Sequence, residues 1–147
     1  MKHLIAILLF FLSSPLISQE NIENDSLFIN EFLQTYKEEG ISKSLDFLYS
    51  SSDWIINENS EDIQNLKAQL IQITTHIGKL NGFKIIKEIN LKNHLRAYSI
   101  LLLYDRQPLR FIIVLYKPKN SWQLQTFQFD TDVSDELINS MNLSWEF

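Results

Sequence analysis

Between residues 79 and 130 the apolar positions fall into four short runs. They are Phe83 to Leu91, Leu95 to Tyr104, Leu109 to Tyr116 and Trp122 to Phe129. Each is rich in Ile, Leu, Phe, Tyr or Val and has no internal Gly or Pro, which predicts four strands. The separators Asn93-His94, Asp105 to Pro108 and Pro118 to Ser121 are short. Parallel neighbours need a long crossover, so these strands form an antiparallel meander.

Side chains alternate along a strand, so the turns set the faces. A two-residue turn at Asn93-His94 pairs Ile89 with Tyr98 and Ile85 with Leu102. A turn at Arg106-Gln107 pairs Leu102 with Phe111 and Ile100 with Ile113. One face then holds Phe83, Ile85, Ile89, Leu91, Tyr98, Ile100, Leu102, Tyr104, Leu109, Phe111, Ile113 and Leu115, with only Lys87 and Arg96 charged, and is the expected core. The other holds Leu101, Leu103, Ile112, Val114 and Tyr116, ringed by Lys84, Glu88, Lys92 and Arg110.

Upstream, the apolar spacing becomes helical. Phe28, Ile29, Phe32, Leu33 and Tyr36 form a stripe over residues 26–39, with Ser26 as cap and Gly40 as stop. Residues 42–50 read as a shorter helix carrying Leu45, Leu48 and Tyr49. Trp54-Ile55-Ile56 reads as a small strand or a packed loop, ended by Asn57-Glu58-Asn59. Residues 60–77 form the strongest helix, with Ser60 capping, Glu61 and Asp62 in the first turn, and Ile63, Leu66, Leu70, Ile73 and Ile77 on one stripe before Gly78. It spans about 27 Å and is expected to be the main helix-to-sheet contact. After the sheet, Ser134 can cap a short helix through Met141, and Leu143, Trp145 and Phe147 alternate with polar residues in the tail. The whole is α+β: N-terminal helices packed on a curved antiparallel four-stranded meander.

The first residues follow another pattern. Lys2-His3, the apolar run Leu4 to Leu12 and the small-residue region Ser13 to Ser18 have the form of a secretory signal peptide, expected to be cleaved after Ser18 or Gln19. The apolar run is shorter than the ~20 residues that span a bilayer. Residues 1–18 are thus expected to be a leader and 19–147 one exported domain, periplasmic or secreted in a bacterium. The chain has no Cys, so stability in an oxidising compartment must come from packing. With 45% hydrophobic residues it can bury a core. Charge is uneven: 11 acids and 2 bases from Glu20 to Asp62, 9 bases and 2 acids from Lys79 to Lys119, and 5 acids and no bases from Asp130 onward. The net charge of −5 does not recommend nucleic acid or an anionic membrane as partner.

Motif chemistry is sparse. The three Gly, at 40, 78 and 82, form no phosphate-cradling loop. There is no HExxH, CxxC or nucleophile elbow, so no cofactor or metal is expected. Downstream of the leader only His76 and His94 remain.

The order of elements carries one resemblance. Two helices, the short Trp54-Ile55-Ile56 segment, the long helix 60–77, and a meander with Tyr116-Lys117 entering its last hairpin and Trp122 leaving it are similar to the nuclear transport factor 2-like, or cystatin-like, group. The resemblance implies a curved sheet wrapped around a long helix, leaving a conical pocket. Enzymes of that group aim an Asp, His or Tyr into the cone. The inward face here offers Tyr98, Tyr104, Lys87 and Arg96 but no carboxylate and no His, so a general base within reach of a substrate is lacking. The expectation is a non-catalytic module that holds a small apolar or anionic molecule between the long helix and the sheet. Trp54, Tyr98, Tyr104, Arg96 and Phe111 are its expected lining. A protein–protein interaction domain, homodimeric through Leu101, Leu103, Ile112, Val114 and Tyr116, is the alternative. An isomerase or hydrolase using His76 or Asp53 is the third.

Overall fold

The computed structural model describes residues 25–134 together with Leu137 and Ile138. The expected leader, residues 1–18, and the tail with Leu143, Trp145 and Phe147 lie outside the described residues. Ser134, Leu137 and Ile138 are helical, while the extension of that helix to Met141 falls outside them.

Three helices precede four strands: α1 (Asp25–Glu39), α2 (Ile41–Ser50), α3 (Asp53–Ile77), β1 (Leu80–Leu91), β2 (Leu95–Tyr104), β3 (Leu109–Tyr116) and β4 (Gln123–Asp130). The strands form one antiparallel sheet in chain order, an α+β meander.

The stripe of α1 is buried throughout, at Phe28, Ile29, Phe32, Leu33 and Tyr36. Gly40 alone separates α1 from α2, at φ +87°, where an L side chain is strained. Trp54-Ile55-Ile56 is neither strand nor loop; it is the first turn of α3. Ser52 starts it, accepting at its carbonyl the amides of Ile55 and Ile56 at 3.0 and 3.3 Å. The stop signal Asn57-Glu58-Asn59 appears as a break inside this helix, with Asn59 at φ −132°, ψ +28°. The chain therefore bends where Ser60 was expected to begin a new helix. Beyond the bend, Ile63, Leu70 and Ile77 are buried, and Leu66 and Ile73 pack against the core.

On the sheet, Tyr98, Ile100 and Leu102 of β2 and Leu109, Phe111, Ile113 and Leu115 of β3 are buried, so these two strands bury the expected face. Their pairing is shifted by two residues, with Leu102 opposite Leu109 and Ile100 opposite Phe111. An even shift leaves every side chain on its face. Strand β1 departs by an odd one. Its turn contains three residues, Lys92, Asn93 and His94, the first two at φ +50° and +59°. Leu91 thus pairs with Leu95, Ile89 with Ala97 and Glu88 with Tyr98. Ile89, Leu91 and Lys87 move to the outer face and Glu88 to the inner one. A bulge at Ile86 then returns Ile85 and Phe83 to the inner face, opposite Ile100 and Leu102 rather than the expected Leu102 and Tyr104.

The aromatic centre of the sheet meets α1 rather than α3. Phe32 lies 6.1 Å from Phe111 and 6.4 Å from Phe127, and Tyr36 lies 5.4 Å from Phe111, all between ring centroids. Such rings bury more apolar area than aliphatic side chains, and offset or edge-on pairs add to it. Helix α3 is tied at its ends. Arg106 donates its amide to Ile77 O at 3.0 Å and its guanidinium to His76 O at 2.6 Å. At the other end Ser52 donates its hydroxyl to Leu124 O, and Leu124 N donates to Ser51 Oγ at 2.9 Å.

Candidate functional site

The expected pocket residues fall into two groups, Tyr104 and Phe111 around Tyr36, and Tyr98 and Arg96 around Asp25, with Trp54 on α3. Phe111 is fully buried among Phe32, Tyr36 and Phe127. Tyr98 is 1% exposed and donates its hydroxyl to the Asp25 carboxylate at the start of α1. Burial, and then this bond to a carboxylate, push the Tyr98 phenol well above its ordinary value. Tyr104 is half-buried, its hydroxyl 2.6 Å from that of Tyr36. Burial raises both phenols. Trp54 stands on the first turn of α3, 42% exposed.

Arg96 is the one charged member, and the structure joins it to Tyr98 through Asp25. Its Nε lies 3.1 Å from Asp25 Oδ2, and its Nη1 donates to Glu88 Oε1 at 3.2 Å. The Nε–H makes no hydrogen bond, so its contact with Asp25 is one of charge and proximity. Asp25, only 7% exposed, thus neutralises Arg96 and accepts the Tyr98 hydroxyl proton at once. This cluster locks the first turn of α1 onto β2. Sequence reasoning missed Asp25, because an acid in the first turn of a helix already has a sufficient local reason to be there.

A second buried cation was also unforeseen. Lys67 of α3 is 7% exposed and bridges to Asp46 of α2. A shallow recess of about 120 Å³ beside it is lined by Tyr49, Ile56, Ser60, Ile63 and Gln64 as well as the pair.

The residues of the catalytic alternative lie far apart. Asp53 and His76 occupy opposite ends of α3, with the break at Asn59 between them. His76 borders an open recess of about 430 Å³, with Gln72, Ile73, Ile77, Gln107 and Thr131. Its Nδ1 is 2.7 Å from Gln72 O. A carbonyl only accepts, so Nδ1 carries the proton. Among the described residues no group of three or more His, Cys, Asp or Glu can hold a metal, and no helix is long and apolar enough to cross a membrane.

The outer sheet face carries several apolar residues. Leu101, Ile112 and Val114 are half-buried, while Leu103 and Tyr116 are 37% and 38% exposed. The altered register of β1 adds Ile89 and Leu91, 42% and 56% exposed, to the same face. Its borders are polar. Lys84 and Lys87 stand on β1; Gln123, Thr126, Gln128 and Asp130 stand on β4. Arg110 and Asp130 pair across β3 and β4 at 2.7 Å.

No protein-family model, curated protein or solved structure matches the chain.

Proposed function

We propose that this protein is an exported interaction domain that binds a protein partner through the outer face of its sheet. The observation that carries the reading is the set of exposed apolar side chains on that face, Ile89 and Leu91 on β1, Leu103 on β2 and Tyr116 on β3, around the half-buried Leu101, Ile112 and Val114. Contiguous exposed apolar surface with a polar rim marks a contact site in a water-soluble fold. Tyr98 and Phe111 meanwhile serve α1 as packing surface. Export is supported by the leader pattern of residues 1–18. Membership of the nuclear transport factor 2-like group remains part of the proposal, supported by helices followed by a meander.

A photo-crosslinking amino acid at Tyr116 or Leu103, in cells expressing the protein, is expected to give discrete protein adducts. The same group at Ile71, 46% exposed on α3, serves as control and gives none. Adducts at Ile71 alone, or adducts from Tyr116 only to the chain's own residues 139–147, refute the reading.

A second reading is supported by the His76 recess. Its volume lies within the roughly 300–1,000 Å³ of small-molecule sites. Two amides, a hydroxyl and an imidazole over Ile73 and Ile77 suit a small polar ligand. Shifts of the His76 ring signals on titration with a metabolite mixture, lost in Gln107→Ala, would favour it.

A further inference from the structure

We infer that the protein partner of the outer face presents an acidic, aliphatic segment in extended form, which docks at the end of the sheet where the β1–β2 and β3–β4 turns meet. The inference rests on the interaction reading above and gives the partner's chemistry. It follows from where charge and exposed apolar surface coincide. In the last two outer rows Ile89 stands level with Ala97 and Val114, and Leu91 with Leu95 and Tyr116. Lysines surround the exposed Ile89, Leu91 and Tyr116. Lys87 precedes Ile89 on β1, Lys92 opens the first turn, and Lys117 and Lys119 lie in the second. The two turns are tied together: Lys117 donates its amide to His94 O, and His94 donates Nδ1–H to Lys117 O, both at 2.8 Å. The Lys117 ammonium is held over the Trp122 ring, 5.6 Å from its centre.

No carboxylate on this face answers these lysines. From Ile89 to Phe129 the one acid is Asp105. It lies in the turn at the opposite end of the sheet and accepts hydrogen bonds from Lys79 N and Asn81. Glu88 lies on the inner face and holds Arg96, and Asp53 starts α3 on the helix side. Lys87, Lys92 and Lys119 are exposed and form no ion pair among the described residues. Lysines on an edge strand ordinarily discourage a further strand. That accounts for Lys87, but Lys92, Lys117 and Lys119 lie in turns. A positive rim around apolar side chains selects an anionic partner with an aliphatic centre. Two features make that partner a short stretch of polypeptide. Between backbone positions the patch measures roughly 13 Å along β1 and 10 Å across three strands, far less than the ~800 Å² that a folded domain covers on each side. Strand β1 also exposes apolar side chains on both of its faces, Ile85 inward at 45% and Ile89 and Leu91 outward. A flat bilayer touches one face, whereas a chain can follow the edge around. Five to seven extended residues, about 16–23 Å, place carboxylates over Lys87 and Lys92 with aliphatic side chains between them.

Photo-crosslinking residues placed at Leu91 and at Tyr116 of the full chain, in cells, are expected to capture the same protein segment. Mass spectrometry of the attached peptide is expected to show two or more Asp or Glu, and no Lys or Arg, within seven residues of the attachment point. Lys87→Glu combined with Lys92→Glu is expected to cut the adduct yield at least tenfold, and Lys87→Gln combined with Lys92→Gln to give an intermediate yield. Both lysines are exposed, so the circular dichroism of either pair should match that of the natural chain. A synthetic peptide of the captured sequence, followed by fluorescence anisotropy, is expected to bind at least tenfold more weakly in about 1 M salt than in about 0.1 M. Undiminished adducts in the Lys→Glu pair, or a captured segment without acids, overturn the inference and leave the interaction reading in place. Adducts that reach only the chain's own residues 139–147 overturn both. So does a protein that gives no adducts at either position and floats with vesicles of phosphatidylglycerol and phosphatidylethanolamine, since the occupant is then a bilayer.

Discussion

Replacing Asp25 with Ala tests whether the start of α1 is anchored by charge or merely by apolar contact. Asp25 is 7% exposed, Tyr98 is 1% exposed and the Arg96 side chain is 19% exposed. Removal of the carboxylate leaves the Tyr98 hydroxyl buried without its acceptor, which costs about 1–3 kcal/mol. It also leaves Arg96 with Glu88 alone. Breaking a buried ion pair costs about 3–5 kcal/mol, but Glu88 is half-exposed and Arg96 has a path to water, so only a small part of that cost applies. The sum is expected at about 2–4 kcal/mol, measured by urea unfolding followed through the buried Trp122. A double-mutant cycle isolates the hydroxyl. Tyr98→Phe alone should cost about 1 kcal/mol, whereas in the Asp25→Ala background it should cost nothing or stabilise, because no unsatisfied hydroxyl then remains. An Asp25→Ala loss below about 0.5 kcal/mol, or two additive single losses, would refute the anchoring role.

Three further outcomes follow from other buried groups. Burial raises the Tyr36 and Tyr98 phenols above the ordinary value of 10.0. Below pH 10 both are neutral in either state; above it the unfolded chain releases its protons first, so stability should fall by about 1.4 kcal/mol per pH unit for each. Unfolding free energies at pH 9, 10 and 11 should show Tyr98→Phe losing about one proton's worth of slope, and an unchanged slope would count against the burial. Gly78 sits at φ +99°, where a Cβ would lie 2.9 Å from Asp105 Cβ, while Gly40, at φ +87°, has open space. Both alanine variants carry backbone strain of about 1 kcal/mol, and Gly78→Ala should cost clearly more, read as a lower thermal midpoint than Gly40→Ala. Lys67→Met should be neutral or mildly stabilising within about 1 kcal/mol, because the desolvation of a buried ammonium disappears with its pair. Asp46→Ala, which strands Lys67, should instead destabilise in the same unfolding assay.

The parts of the fold that could be read from the chain are those protected from small errors of register. Strands β2 and β3 bury their expected sides although their turn is two residues off, because an even shift preserves alternation. Strand β1 had no such protection. A left-handed Lys92 has no composition signal, and the bulge at Ile86 leaves no mark in an Ile-Ile pair. Together they moved Ile89 and Leu91 outward and Glu88 inward. The Trp54-Ile55-Ile56 run failed for a related reason. Three apolar residues are too few to show a period, and the helical start at Ser52-Asp53 lies before them.

The candidate sites show a sharper limit. Inward alternation placed Tyr98, Phe111 and Arg96 on one face correctly, but the face alone does not say what stands opposite. What stands opposite is α1, whose Phe32 and Tyr36 occupy the space against Phe111 and whose Asp25 takes the polar end of Tyr98. Both helices carry an apolar stripe of five residues. Length favoured α3, whereas the aromatic rings of α1 supply the volume that fills the sheet's centre. The partner of Arg96 lies 71 residues earlier in the chain, beyond any local pattern. The outer face needed less: its apolar positions on β2 and β3 follow from alternation once the buried side is known. Its apolar edge on β1, by contrast, depends on register. Only the three-residue turn after Leu91 brings Ile89 opposite Ala97 and Leu91 opposite Leu95 and so turns both outward, where they are 42% and 56% exposed; a two-residue turn would have sent them to the inner face and left this border to Glu88 and Lys92.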